Sequence, residues 1–190
     1  MQERIFPAQL ISKYYSAAPL ARQILLDHSR LVTQKALKIG RELQSHGIAV
    51  DLKFLAEAAM LHDIGMIRTD TPKLGCYGEG NYLQHGIRGQ EILEAEGLPK
   101  HARACERHIG VGLTADEIRR QHLPLPARDM LPETLEEQII SYADLFYSKG
   151  GVSPAREKTA TKVRKNLKKY GKNKVDIFNQ WQKEFEPELS

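Results

Sequence analysis

Apolar residues along the 190-residue chain recur with helical spacing over most of its length. A stripe with three-to-four spacing predicts a long helix from Pro19 to His46, which Gly47 would end in a left-handed conformation. The apolar run 54–60 predicts a second, buried helix that closes at the dipeptide His62-Asp63. No segment keeps the two-residue period of a strand over a useful length, so the pattern predicts an all-α fold.

Capping and breaking residues divide the remaining chain into further helices. Asp51 can cap the buried helix, and Thr114 and Thr134 each begin a capping box. The other helices are predicted at residues 8–18, from about 84 to 97, from 99 to about 110, from 134 to 148, from Ser153-Pro154 to Gly171 after a break at Gly150-Gly151, and at 175–185. Turn-forming residues dominate 66–82, which predicts a loop that covers a site and helps to set specificity.

The length and composition are typical of one globular domain. We expect a main unit at residues 1–150 and a basic helical extension at 151–190 that packs on the same domain. The chain has no long apolar run and no secretory signal, which favours a cytoplasmic protein without membrane contact. Cys76 and Cys105 lack both CxxC spacing and the framework of a disulfide-rich scaffold, so reduced thiols are expected.

Positive charge is concentrated near the C-terminus. The chain carries a net charge of +4, and nine Lys or Arg residues but one acid, Glu157, lie between Ala155 and Val175. Val163 and Leu167 would give this basic helix its apolar contact. A solvated surface is the first interpretation of its lysines. A contact with nucleic acid or polyphosphate is the second and less favoured one, because clustered cations bind phosphates.

Six polar residues occupy positions where burial is costly. A histidine and an aspartate side by side at the end of a buried helix cost free energy unless both are paired, and a shared metal ion would pair them. The full set of candidate ligands is His28, His62, Asp63, His85, His108 and Asp144. Imidazole and carboxylate ligands suit Mn, Fe, Co, Ni or Zn. Six ligands suffice for two ions if Asp63 bridges them with its two oxygens.

Each of these residues also has an ordinary structural explanation. His28 could be a hydrogen-bonded core histidine, and His85 and His108 could lie near helix ends for capping or dipole reasons. Asp144 could accept a hydrogen bond from a buried tyrosine. Several independent coincidences would be needed to explain the whole set in this way, so the metal interpretation is favoured.

The order of these residues, with the string His62-Asp63-Ile64-Gly65, resembles the HD-domain superfamily of metal-dependent phosphohydrolases. The resemblance covers about Leu20 to Lys149 and implies a bundle of about five core helices around a metal centre, with additional C-terminal helices. It also implies one ion held by His28, His62, Asp63 and Asp144, and a second ion completed by His85 and His108 with Asp63 bridging.

The sequence departs from one branch of that family. Cyclic-dinucleotide phosphodiesterases usually have Lys after the His-Asp-Ile-Gly string, where this chain has Met66, and the Gly-Tyr-Pro motif of that branch is missing after His108. Hydrolysis of cyclic-di-GMP is therefore disfavoured. The same six-ligand pattern occurs in mixed-valent di-iron oxygenases, and a non-catalytic regulator that binds a nucleotide or metal is a third alternative.

The resemblance implies a hydrolase that cleaves a phosphomonoester or phosphodiester bond of a small molecule or nucleotide by means of a metal-activated hydroxide, which Asp63 would help to orient. Arg68 and Lys149 are the first candidates for catalytic and substrate-binding cations. Arg88, Arg107 and Tyr147 are further candidates for substrate binding. Tyr147 could stack on a base, although core packing is the more ordinary role of such a residue.

Overall fold

The computed structural model describes residues 5–149 and 156–189. The nine helices of this part of the chain are α1 Pro7–Tyr14, α2 Pro19–Ser45, α3 Leu52–Leu61, α4 His85–Ala95, α5 Pro99–Arg107, α6 Ala115–Arg120, α7 Leu135–Asp144, α8 Ala160–Leu167 and α9 Lys172–Phe185. The only strands in the same ranges are β1 Asp70–Thr71 and β2 Cys76–Tyr77, which pair antiparallel. The fold is therefore all-α, as the apolar spacing predicts.

Local signals in the sequence account for most helix ends. The side chain of Asp51 accepts a hydrogen bond from the backbone N–H of Phe54, and the predicted capping boxes at Thr114 and Thr134 both form. Gly47 has a φ of +81°, so the long helix α2 ends with the left-handed residue that the sequence predicts.

The predicted loop at 66–82 contains short elements. A 3₁₀ turn over Ile64–Arg68 follows α3, the two strands form a small hairpin, and further 3₁₀ turns lie at Pro72–Leu74 and Tyr82–Gln84. These elements are too short to produce a periodic pattern in the sequence. The segment is thus irregular, but its backbone hydrogen bonds are largely internal to it.

The basic C-terminal helix is shorter than the sequence predicts. The predicted break at Gly150-Gly151 and helix start at Ser153-Pro154 lie outside the described residues. Residues 156–159 are not helical, and α8 begins at Ala160 because the Thr159 side chain caps it. The prediction that the helix includes 156–159 is wrong, since a strong N-cap residue sets the start. A 3₁₀ turn over Lys168–Tyr170 then leads to α9.

Two hydrophobic clusters fill the interior. The first joins α2, α3 and α7 to the C-terminal helices, with Ile39, Leu55, Ile140 and Phe178 among its fully buried members. The second joins α1 and the start of α2 to α4 and α5. Helix α3 contributes to both clusters, and its C-terminal end therefore lies in the interior where the two meet.

None of the helices within residues 5–149 and 156–189 has the length and apolar character needed to cross a bilayer. The longest of them, α2, has 27 residues, and charged residues recur along its sequence.

Candidate metal centre

The six predicted ligands come from five helices and meet at one place. His28 lies in the middle of α2, His62-Asp63 directly follows α3, His85 begins α4, His108 follows α5 and Asp144 is the last residue of α7. All four histidines and Asp63 are buried, and the Asp144 side chain is 17% exposed. The helix ends bring the polar groups together without exposing them to solvent.

One set of four ligand atoms surrounds a small space. The Nε2 atom of His28 lies 2.9 Å from Asp144 Oδ1 and 3.1 Å from Asp63 Oδ2. The Nε2 atom of His62 lies 3.0 Å from Asp63 Oδ2 and 3.5 Å from Asp144 Oδ1. Ligand atoms about 2.0–2.2 Å from a common divalent ion are separated by similar distances.

A second set uses the other oxygen of the same aspartate. Asp63 Oδ1 lies 3.2 Å from His85 Nε2 and 3.4 Å from His108 Nε2, and the two Nε2 atoms are 3.0 Å apart. Asp63 therefore contributes one oxygen to each set. Such an arrangement would allow one carboxylate to serve two metal ions.

Backbone carbonyls fix the orientation of three imidazoles. The Nδ1 atoms of His62, His85 and His108 lie 2.6–2.7 Å from the carbonyl oxygens of residues three positions earlier, Ala59, Tyr82 and Cys105. A carbonyl oxygen can only accept a hydrogen bond, so each Nδ1 carries a proton and Nε2 is the ring nitrogen that is left to bind a metal ion. The Nε2 atoms therefore point toward a common centre, where a metal ion or a shared proton can lie between them.

The buried carboxylates of Asp63 and Asp144 also indicate that a cation belongs at this position. Within the described ranges, Asp63 Oδ1 and Asp144 Oδ1 are buried and accept no well-aligned hydrogen bond. A buried carboxylate oxygen without such a partner costs several kcal/mol unless a cation compensates it. The donor set of imidazole nitrogens and carboxylate oxygens therefore fits divalent metal ions.

The electrostatics keep the carboxylate ligands ionised. Burial opposes ionisation of Asp63, but His62 and Lys149 hold the pKa of its carboxyl well below the usual range. Burial also lowers the pKa of His108 to about 4, which keeps this imidazole neutral. Burial acts in the same direction on His62, but Asp63 and Asp144 outweigh it and raise its pKa to about 10. A proton thus competes with a metal ion for His62 Nε2.

The glycine of the His-Asp-Ile-Gly string allows two elements to touch. A Cβ atom at Gly65 would overlap the carbonyl oxygen of His85 and the backbone nitrogen of Gly89. The absence of a side chain lets the turn after Asp63 approach the start of α4, and this contact brings His85 next to Asp63.

A tyrosine that the sequence analysis does not single out supports the same turn. The buried Tyr15 hydroxyl donates a hydrogen bond to the carbonyl of Ile64 at 2.9 Å and accepts one from the N–H of Ile67 at 3.0 Å. No pattern in the sequence indicates this contact, because Tyr15 and Ile64 are 49 residues apart.

Lys149 is the predicted cation that lies at the ligand sets. Its Nζ atom is 2.7 Å from Asp63 Oδ2 and 5.8 Å from the centroid of the Tyr82 ring. Burial opposes its protonation, but Asp63 and Asp144 raise the pKa of Lys149 well above its usual value, so the ammonium group stays charged.

The predicted arginines lie in ion pairs away from the ligand atoms. Arg68 and Arg88 both contact the carboxylate of Glu91 at the surface. Arg107 contacts Glu133 at 2.8 Å and Glu137 at 3.3 Å.

A cavity of about 470 Å³ adjoins the ligand sets and has Asp144 in its wall. Tyr147 also lines it, and the Tyr147 hydroxyl donates a hydrogen bond to Glu157 at 3.2 Å. The volume is within the usual range for small-molecule sites.

Comparison with known proteins identifies the family. The family model for the HD domain matches residues 25–148. The chain belongs to the HD-domain family. Its relatives include an uncharacterised protein of Methanocaldococcus jannaschii, which is 33% identical over 161 residues, 83% of this chain and 84% of that one.

Some relatives are longer than this chain. A tRNA (cytidine(56)-2'-O)-methyltransferase of Picrophilus torridus is 33% identical over 129 residues, which is 67% of this chain. The matched region spans about a third of that protein, 33% of its length. The crystal structure of the HD domain of the phosphodiesterase PgpH from L. monocytogenes, in complex with cyclic-di-AMP, has a TM-score of 0.53 and 18% identity, covering 92% of this chain and 82% of that one. That similarity establishes the shared HD fold.

Proposed function

We propose that this HD-domain protein is a metal-dependent phosphohydrolase that cleaves a phosphomonoester or phosphodiester bond of a small molecule, with nucleotides as the favoured class. The observation that carries the proposal is the pair of ligand sets joined through the two oxygens of Asp63. His28, His62, Asp63 and Asp144 would hold one divalent ion, and Asp63, His85 and His108 the other. Mn, Fe, Co, Ni and Zn all suit these ligands.

Such ions supply Lewis-acid stabilisation of phosphoryl oxygens and a bound water of lowered pKa. The protein's own part is to hold the ligands rigidly and to neutralise charge. The Nδ1 hydrogen bonds of His62, His85 and His108 fix the imidazole planes, so no reorganisation is needed when substrate binds. The Lys149 ammonium, 2.7 Å from Asp63 Oδ2, can donate hydrogen bonds to a phosphoryl oxygen beside the ligands.

The other candidate substrate-binding residues differ in their position relative to the cavity and in their ion pairs. Tyr147 lines the cavity beside Asp144 and is a candidate for contact with the organic part of the substrate. Arg68, Arg88 and Arg107 remain predictions from the sequence, since each already has a glutamate partner. The phosphodiesterase PgpH, whose HD domain binds cyclic-di-AMP, supports a nucleotide as the first class to test.

Residues 151–190 are proposed to form one unit with residues 1–150. This is supported by Val163 of α8 and Phe178 of α9, which belong to the same hydrophobic cluster as Ile140 of α7. A role of the α8 lysines in binding nucleic acid remains the less favoured alternative to a solvated surface.

The proposal is tested by metal analysis of protein purified without added metal, followed by a panel of phosphoesters assayed under air and under argon. We expect two ions per chain and hydrolysis that survives without oxygen and with Mn or Co. The variants His62→Ala and Asp63→Ala should lose metal and activity together. Retention of both by either variant would contradict the assignment of the site.

The same experiment separates the alternatives. A di-iron oxygenase would require iron and would consume dioxygen, because it has the same ligands but a different reaction. A non-catalytic regulator would bind metal and nucleotide without turnover under any of these conditions.

A further inference from the structure

The cavity beside Asp144 is closed on one side by residues that lie beyond the HD-domain match at 25–148. Lys158, Val163, Asn166, Leu167 and Lys174 all line it. They come from the segment before α8, from α8 itself and from the first turn of α9. The shape of this space therefore depends on the C-terminal helices of this chain as well as on the HD domain.

The wall of the cavity is largely apolar. Val111, Leu145, Val163 and Leu167 contribute aliphatic side chains, and Val163 and Leu167 are buried. Tyr82 and Tyr147 add aromatic rings to this wall. A wall of this kind suits an organic group with apolar faces, and its volume of about 470 Å³ can hold a group of one or two rings.

The ammonium groups of the two lysines in the C-terminal wall already have hydrogen-bond partners within the protein. The Nζ atom of Lys158 donates hydrogen bonds to the carbonyl oxygens of Leu145 and Tyr147. The Nζ atom of Lys174 donates to the carbonyl of Gly112 at 2.8 Å and contacts the Glu117 carboxylate at 2.6 Å. These lysines hold the wall together, and they do not provide a second phosphate site comparable to Lys149.

Asn166 differs from these lysines. It is half-buried, lines the cavity, and its side-chain amide has no hydrogen-bond partner among the described residues. An amide group offers both donors and an acceptor, so it can pair with a ring edge that presents complementary groups.

On the basis of the proposed function, we propose that Asn166 is a specificity-determining residue and that the C-terminal wall selects phosphoesters by their organic group. With the phosphoryl group at the metal ligands and Lys149, the organic group occupies the cavity, its apolar faces against Val163 and Leu167 and a hydrogen-bonding edge against Asn166. The preferred substrate class carries a ring with such an edge, as a nucleoside does, in contrast to a short polyol.

Binding measurements on the full, Mn-loaded chain test the proposal without relying on turnover. The probes are non-hydrolysable phosphonate analogues of adenosine monophosphate, cytidine monophosphate and glycerol phosphate, measured by calorimetry. Asn166→Ala and the isosteric Asn166→Asp remove the amide donor, and Asn166→Trp fills the cavity. Asn173→Ala is the matched control, because Asn173 is exposed and is not among the residues that line the cavity.

We expect both nucleoside probes to bind wild-type protein at least tenfold more tightly than the glycerol probe. Asn166→Ala and Asn166→Asp should weaken at least one nucleoside probe by about tenfold, the effect of losing a hydrogen-bonded edge. Asn166→Trp should abolish nucleoside binding. Binding of the glycerol probe, the metal content and the Asn173→Ala control should not change.

Equal affinity of the wild-type protein for the three probes would overturn the proposal, and so would Asn166 variants that affect all probes equally or none. These outcomes concern specificity alone. Absence of hydrolysis of any phosphoester by the metal-loaded protein would contradict the proposed function instead, so the two failures are distinguishable.

Discussion

Deletion of the His85 imidazole tests whether the centre holds two ions. In the variant His85→Ala, the second set would retain two protein atoms, Asp63 Oδ1 and His108 Nε2. The first set would keep all four of its atoms, because His85 contributes none of them. We therefore expect the variant to bind one ion per chain where the wild type binds two.

The size of the effect follows from ligand linkage. An ion present at a hundredfold excess over its dissociation constant stabilises the folded state by about 2.7 kcal/mol, so two ions give about twice this value. The variant should lose one of the two contributions. For a chain of this size, that loss corresponds to about 5 to 11 °C in the metal-dependent part of the melting temperature. The assays are elemental analysis after dialysis and thermal unfolding with and without chelator.

His101→Ala provides a matched control. His101 is also a buried histidine, but it pairs with Glu57 and lies outside both ligand sets. The control should keep two ions and the full metal-dependent stabilisation, although its metal-free stability falls. Two ions in His85→Ala, or the loss of both ions, would refute the division of the centre into two sets that share Asp63.

Three further predictions concern side chains outside the two ligand sets. Lys149→Ala should lower kcat/KM for a phosphoester by about 10²-fold with unchanged metal content, whereas the exposed Lys169→Ala should leave it unchanged; equal rates would contradict the role of Lys149. Tyr15→Phe should reduce the free energy of unfolding in urea by about 1–3 kcal/mol, because two buried backbone groups lose their partner; wild-type stability would contradict the support of the turn. Burial opposes ionisation of Glu117, but the hydrogen bond from Lys174 lowers the pKa of its carboxyl below 4.5. The contribution of the Glu117–Lys174 ion pair to the free energy of unfolding is then complete above about pH 4.5. It is lost as the pH falls through the lowered pKa of Glu117. Urea unfolding from pH 7 to pH 3 should therefore show a stability gap between wild type and Glu117→Gln that narrows in acid; a constant gap would refute the linkage.

Elements with local causes are predictable from this sequence. The long helix α2 follows from its apolar stripe and from Gly47, and the starts of α6 and α7 follow from their capping boxes. The predicted start of α8 is wrong: the Thr159 side chain caps the helix, and residues 156–159 are not helical.

The residue types of the candidate site also followed from the sequence. The six His and Asp residues were identifiable because each is costly to bury alone and because their order resembles the HD family. The sequence likewise suggested that Asp63 could serve two ions, since a carboxylate has two oxygens. Their convergence depends on five helix ends meeting in the interior, and only the tertiary structure places Asp63 Oδ1 and Oδ2 in separate ligand sets.

The surroundings of the site were decided by tertiary structure alone. Lys149 lies at Asp63, whereas Arg68 and Arg88 share Glu91, although all three are cations close to a ligand in the sequence. Periodicity and capping report interactions within about four residues along the chain. The partner of a long side chain such as Lys149 depends on residues far apart in the sequence. The same holds for the cavity beside Asp144, which is lined in part by the helices that follow the HD domain. The sequence by itself therefore determined most of the helices and the residue types of the candidate metal site. The packing of the helices decided which cation and which cavity lie beside that site.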